Sequence, residues 1–193
     1  MRPLIILLSA LTLLSACTTT RSAPPAAKWT YRDATPQTAA STAPSPAQVP
    51  MASYSMLRKP EQCVPYARRV SGIEIFGDAH SWWNQAAAQN YPRGQRPAPG
   101  AVLVLPRTKK MTHGHVAVVK DVIDSRNINV THTNWGNTRE TRRAIYHSMR
   151  VQDISANNDW SRVRFWNAHD DVFGFPYAAN GFIYNPTQLA SGQ

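Results

Sequence analysis

Apolar and polar positions divide this chain into unlike stretches. Residues 4–14 are apolar except for Ser9 and Thr12, a run shorter than the about 20 residues that cross a bilayer as a helix. From 18 to about 53 the chain turns to Thr, Ser, Ala and Pro with few large apolar side chains, a composition that cannot bury enough surface to fold alone. The patterning of a folded domain begins near Tyr54. Residues 64–70 read as a first helix, with Pro65 in the first turn, where its missing N–H is no loss. Residues 72–77 form a bounded connection, and Asp78 offers an N-cap to a second helix running to about Gln89. Trp82, Trp83, Ala86 and Ala87 recur there at helical spacing, which places one of the two tryptophans in the core.

Strand patterns follow. After a proline-rich loop at 92–100, residues 101–105 read as a buried strand, and Lys109 and Lys110 mark an exposed turn. His115 then opens the β-branched run 116–119, and the turn-like 124–127 leads into a strand over 128–135. Alternation puts Ile128, Val130, His132 and Asn134 on one face and Asn129, Thr131, Thr133 and Trp135 on the other. Further sheet is expected around 139–145 and 161–166, and the aromatic segment 173–184 is expected to close a partly barrel-like sheet. Residues 54–193 are enough for a single core of ordinary domain size.

Two cysteines sharpen this picture. Arg2, the apolar run and the ending Leu14-Ser15-Ala16-Cys17 read as a signal peptide over 1–16. That ending resembles the bacterial lipoprotein cleavage box, in which the cysteine is lipidated and becomes the mature N-terminus; an ordinary secretory signal with Cys17 incidental is the alternative. Residues 17–53 then serve as a flexible tether of about 30–35 Å as a coil. By the same resemblance, Thr18 in place of an aspartate favours the outer membrane of a Gram-negative envelope, with the domain facing the periplasm.

Lipidation of Cys17 leaves Cys63 unpaired, as suits a catalytic thiol better than a disulfide scaffold. At a helix N-terminus the free N–H groups and the macrodipole favour its thiolate; the plain alternative is a buried cysteine acting as a small apolar side chain. His115 is a candidate base, and His132 or Asn134 on the neighbouring strand could hold its ring, completing the nucleophile, base and orienter set of cysteine peptidases.

Gln62-Cys63-Val64-Pro65-Tyr66-Ala67, Pro97-Ala98-Pro99-Gly100-Ala101-Val102, Gly114-His115-Val116-Ala117-Val118 and His132-Thr133-Asn134-Trp135 resemble, in order and spacing, the CHAP domain of cell-wall amidohydrolases and peptidases. The resemblance covers about residues 55–185. It implies a papain-like α+β fold with N-terminal helices packed on an antiparallel, partly barrel-like sheet, Cys63 as nucleophile, His115 as base, no cofactor, and peptidoglycan as substrate of an amidase or endopeptidase. Many members carry Glu-x-Asn where this chain has His132-Thr133-Asn134. Related papain-like cell-wall peptidases use histidine as third residue, which makes His132 the first choice and Asn134 the second. The Cys63 backbone N–H, with Gln62 as a second donor, would hold the oxyanion.

The net charge of +10, or +9 once Arg2 leaves with the signal, implies an anionic partner. An exported, tethered chain rarely meets nucleic acid, and no nucleic-acid motif is evident, so wall polymer and lipid head groups fit better. Two rival classes remain open. His113, His115, His132 and Cys63 could form a metal site, since H-x-H on a strand places both rings on one face. Alternatively the domain binds the wall without cutting it, as a scaffolding lipoprotein, or cuts only with an activator.

Overall fold

The computed structural model describes residues 51–190; the expectations for the signal peptide, Cys17 and nearly all of the tether lie outside them. Strand β1 (Ala52–Met56) opens the described chain, two residues before the expected domain boundary. It is followed by helix α1 (Cys63–Ser71), a single 3-10 turn at Ala79–Ser81 and helix α2 (Trp82–Ala88). Strands β2 (Arg93–Gly94), β3 (Val102–Leu105), β4 (His115–Val122), β5 (Asn127–Thr133), β6 (Ala144–Asp153), β7 (Arg162–Asn167), β8 (Val172–Ala178) and β9 (Gly181–Ile183) precede a last helix, α3 (Pro186–Ala190).

The strands form one sheet in the order β2-β9-β3-β4-β5-β6-β7-β8, with β1 added to β6. Every pairing is antiparallel. The fold is therefore α+β as expected, with α1 and α2 set between β1 and the remaining strands of a large antiparallel sheet. The expected closure does not occur. The segment 173–184 supplies β8, which ends the path, and β9, which inserts between β2 and β3, so the sheet stays open. One face of β3 to β7 and β9 buries a shared cluster that includes Leu103, Leu105, Ala117, Val119, Ile128, Val130, Phe165 and Phe182.

Both faces of the central strands are apolar, and the second face receives the helices. Val102, Val104, Val116, Val118 and Ile183 pack there against Cys63 and Ala67 of α1 and Trp82 and Ala86 of α2. Trp82 is the core tryptophan; Trp83 is half-buried, with the Arg93 guanidinium 4.7 Å above its ring. Asp78 does not cap α2 with its side chain. Its carboxylate instead meets the His113 ring at 3.1 Å, and the 3-10 turn intervenes before the helix begins. The stretch 139–143, expected as sheet, is a loop with a 3-10 turn at Thr141–Arg143, and β6 starts at Ala144.

Candidate functional site

Cys63 is the first residue of α1, and Gln62 before it holds extended backbone dihedrals (φ −73°, ψ 149°), as an N-cap does. The helix is hung on the sheet next to it. Tyr66 hydrogen-bonds Thr131 on β5. Thr131 spends its own hydroxyl hydrogen on the Tyr146 carbonyl (2.8 Å), so the Tyr66 hydroxyl is the donor in this pair. These links place the start of α1 over the end of β4, where the β4–β5 pairing has run out past Val118 and Thr131.

The Cys63 thiol is buried, 8% exposed, and is approached by the backbone N–H groups of Val116, Val64 and Cys63 itself. Burial pushes its pKa up from the ordinary 9.0; the three N–H groups offset this only in part, and the Asp78 carboxylate adds to the rise. The helix start therefore does not leave a resting thiolate, contrary to the expectation from the macrodipole: loss of water outweighs the local dipoles.

His115 is the first residue of β4 and takes the parity of Ala117 and Val119, the cluster opposite to that of Cys63. The Val116 N–H that reaches the sulfur follows His115 directly, so Cys63 sits beside the first residues of β4 on the face opposite to that of the imidazole. Among the described residues no hydrogen bond joins them.

His115 and His132, in contrast, are bound to each other: His115 Nε2 lies 2.8 Å from His132 Nδ1, both rings fully buried in the sheet interior. The far nitrogen of His132, Nε2, lies 3.3 Å from Met149 Sδ. A thioether has no proton to give, so His132 carries its proton on Nε2 and offers a lone pair at Nδ1. His115 must then donate from Nε2, which leaves its Nδ1 as the basic nitrogen. Burial lowers the pKa of His115 from 6.5 to about 3. That of His132 falls well below 6.5, through burial first and the neighbouring His115 second. Both rings are neutral at pH 7.

Asn134 has left this arrangement. β5 ends at Thr133, and Asn134 adopts a left-handed conformation (φ 55°), which breaks the alternation that would have put it beside His132. Its Nδ2 donates to Gln62 Oε1 (2.8 Å), next to Cys63. Because the Gln62 oxygen is taken, the Gln62 amide is left as a donor beside the thiol. The same break turns Trp135, expected on the far face, back over both imidazoles, with ring centroids 4.6 Å from His115 and 5.6 Å from His132. Sequence reasoning did not assign Trp135, Met149 or Tyr66 to the site. Met149 and Tyr66 reach it by cross-strand and helix–sheet contacts that no local pattern encodes. His113 is not on β4 at all. Gly114 (φ 69°) turns the chain before the strand begins, His113 is exposed and bound to Asp78, and the H-x-H geometry of a metal site is not formed. A cleft of about 410 Å³ adjoins Gln62 and Asn134.

Residues 53–134 match the family model described as "CHAP domain". Two curated proteins of Staphylococcus epidermidis, both named "Staphylococcal secretory antigen SsaA", are each 37% identical to this chain over 78 residues, 39% of this chain and 29% of the relative. A crystal structure of N-acetylmuramoyl-L-alanine amidase from Staphylococcus aureus aligns with a TM-score of 0.39 and 20% identity, covering 62% of this chain and 30% of that one. The aligned part is thus under a third of the length of each of these proteins.

Proposed function

We propose, from the match of residues 53–134 to the CHAP domain family model, that this chain is a peptidoglycan hydrolase that cuts an amide bond of the wall through Cys63. The observation that carries the reading is the buried 2.8 Å bond from His115 to His132, which fixes His115 as a neutral base with Nδ1 free, at the end of the strand whose next N–H reaches the Cys63 sulfur.

In this mechanism His115 Nδ1 takes the thiol proton as Cys63 Sγ attacks the amide carbonyl. The resting pair is neutral, so the proton moves in the attack itself. The His115–His132 bond orients the ring throughout, as an orienter must. Backbone N–H groups at the start of α1 and the Gln62 amide are placed to receive the oxyanion. The imidazolium returns its proton to the leaving amine, and water attacks the thioester with His115 again as base. No metal or cofactor enters this scheme. Cys63 and His115 close their remaining gap when substrate excludes water, as catalytic hydrogen bonds often do.

Location in the cell envelope, outside the cytoplasm, is part of the proposal. It is supported by the leader-like residues 1–16 and by the word secretory in the relatives' name. Anchoring through a lipidated Cys17 follows from the lipobox resemblance alone, and the outer-membrane placement from Thr18 alone. The matched relatives are staphylococcal and give that last placement no support.

A second reading, wall binding without cleavage, draws on the missing Cys63–His115 hydrogen bond and the raised thiol. Digestion of purified peptidoglycan, followed by mass analysis of the soluble fragments, separates the two. New amine termini are expected; ends at the sugar–peptide junction identify an amidase and ends within the peptide an endopeptidase. An undigested wall that retains the bound protein would establish the second reading.

A further inference from the structure

We propose that the cleft between the 134–142 loop and the Gln62 end of α1 receives a carboxylate of the substrate peptide beside the scissile amide, with Arg139 and Arg142 as its charge partners. The inference rests on the hydrolase reading of Cys63 and names the substrate feature that the site selects.

The cleft, about 410 Å³, is lined by Gln62, Asn134, Asn137, Arg139 and Arg142 among others, and none of the described residues that line it is acidic. Among the described residues no carboxylate is paired with its arginines. Arg68, Arg69 and Arg126 are each paired with a carboxylate, but among the described residues neither Arg139 nor Arg142 has an acidic partner. Arg142 is held from behind, its Nε donating to the Gly136 carbonyl (3.2 Å). That tether orients the guanidinium and leaves its terminal amino groups for a ligand, in the fork that suits a planar carboxylate.

The loop that carries them is pinned. Thr138 and Thr141 exchange backbone and hydroxyl hydrogen bonds at 3.0–3.1 Å, and the Arg142 N–H closes the turn on the Thr138 carbonyl (3.1 Å). Gly136 (φ 114°) passes so close to Thr141 that a Cβ there would lie 2.3 Å from its hydroxyl. The Asn134–Gln62 bond then ties the loop to the residue before Cys63. A pre-set basic cleft loses little entropy on binding. Its wall includes Gln62, so the group it holds belongs to the substrate residue at or next to the cut, given about 3.3–3.6 Å of chain per residue.

The test uses full-length Cys63→Ala protein and calorimetric titration with soluble muropeptides, in one set with free stem carboxylates and in the other with those carboxylates converted to carboxamides. The free acids are expected to bind about tenfold or more tightly, an advantage that shrinks with added salt. In the Cys63→Ala background, Arg139→Gln with Arg142→Gln should abolish the preference, and Arg142→Lys should keep part of it. In the otherwise wild-type enzyme the double substitution should raise KM for the acid substrate with little change in kcat. Equal binding of acid and amide, a preference untouched by the arginine substitutions, or no binding of either set would overturn the inference. Arginine-dependent selection of the acid by a protein that never hydrolyses it would overturn the hydrolase reading and leave the carboxylate site standing.

Discussion

At the residue scale the proposed chemistry depends on two buried hydrogen bonds, His132 to the Met149 sulfur and His115 to His132, and on Cys63 beside the start of the same strand. Because burial holds His115 neutral down to about pH 3 and keeps Cys63 protonated past pH 9.0, the reactive protonation state does not change between these limits. The kcat/KM profile should be level from about pH 5 to 8. An acid limb with a midpoint near 6.5 would show that His115 titrates as an ordinary imidazole. His132→Gln should lower kcat roughly 10²–10³-fold with KM little changed, since it unsettles the His115 tautomer without touching substrate. Steady-state rates on a soluble wall fragment check this, and an equal loss produced through KM would place His132 against substrate instead.

At the element scale, α1 is aimed by one side chain. Tyr66→Phe removes the bond to Thr131 and leaves its acceptor unpaired, which should cost about 1 kcal/mol by denaturant unfolding and lower kcat by more than it raises KM. Gly114→Ala should cost about 2 kcal/mol or more, because the φ of 69° is strained for alanine and its Cβ would lie 2.6 Å from the His80 nitrogen and 2.7 Å from the Leu105 oxygen. Much of this scale was legible from the sequence: the helix start at Cys63, the buried β3 and β4, and the placement of His132 with Ile128 and Val130 by simple alternation. Alternation failed where the backbone left the β region, at Gly114 and Asn134, and there it misplaced His113, Asn134 and Trp135. The thiol's state was misjudged for a different reason. A dipole can be inferred from a helix start, whereas the burial that overrides it is a property of packing.

At the scale of the whole molecule, the same two histidines make the fold sensitive to acid. In the unfolded chain they bind protons below about pH 6.5, whereas in the folded protein burial delays this to about pH 3 for His115, so the unfolded state gains protons first and stability falls as pH drops through that window. For His115 alone the loss is on the order of 3 kcal/mol by pH 4. Thermal melts should show Tm falling from pH 7 to pH 4, and a Tm independent of pH there would mean that the rings are not buried as described. The open sheet has its own consequence. It buries the histidine pair on one face and packs the helices on the other, so the candidate nucleophile and base belong to different layers and are linked only through the start of β4, where the Val116 N–H reaches the sulfur.

Cleavage through Cys63 is tested most directly by the rate at which the full chain releases soluble fragments from purified peptidoglycan, compared with Cys63→Ala at equal concentration and with matched circular dichroism. The wild type should release fragments, and the variant should lose roughly 10³-fold or more of that rate with its fold unchanged. Release that survives Cys63→Ala would contradict cleavage through Cys63.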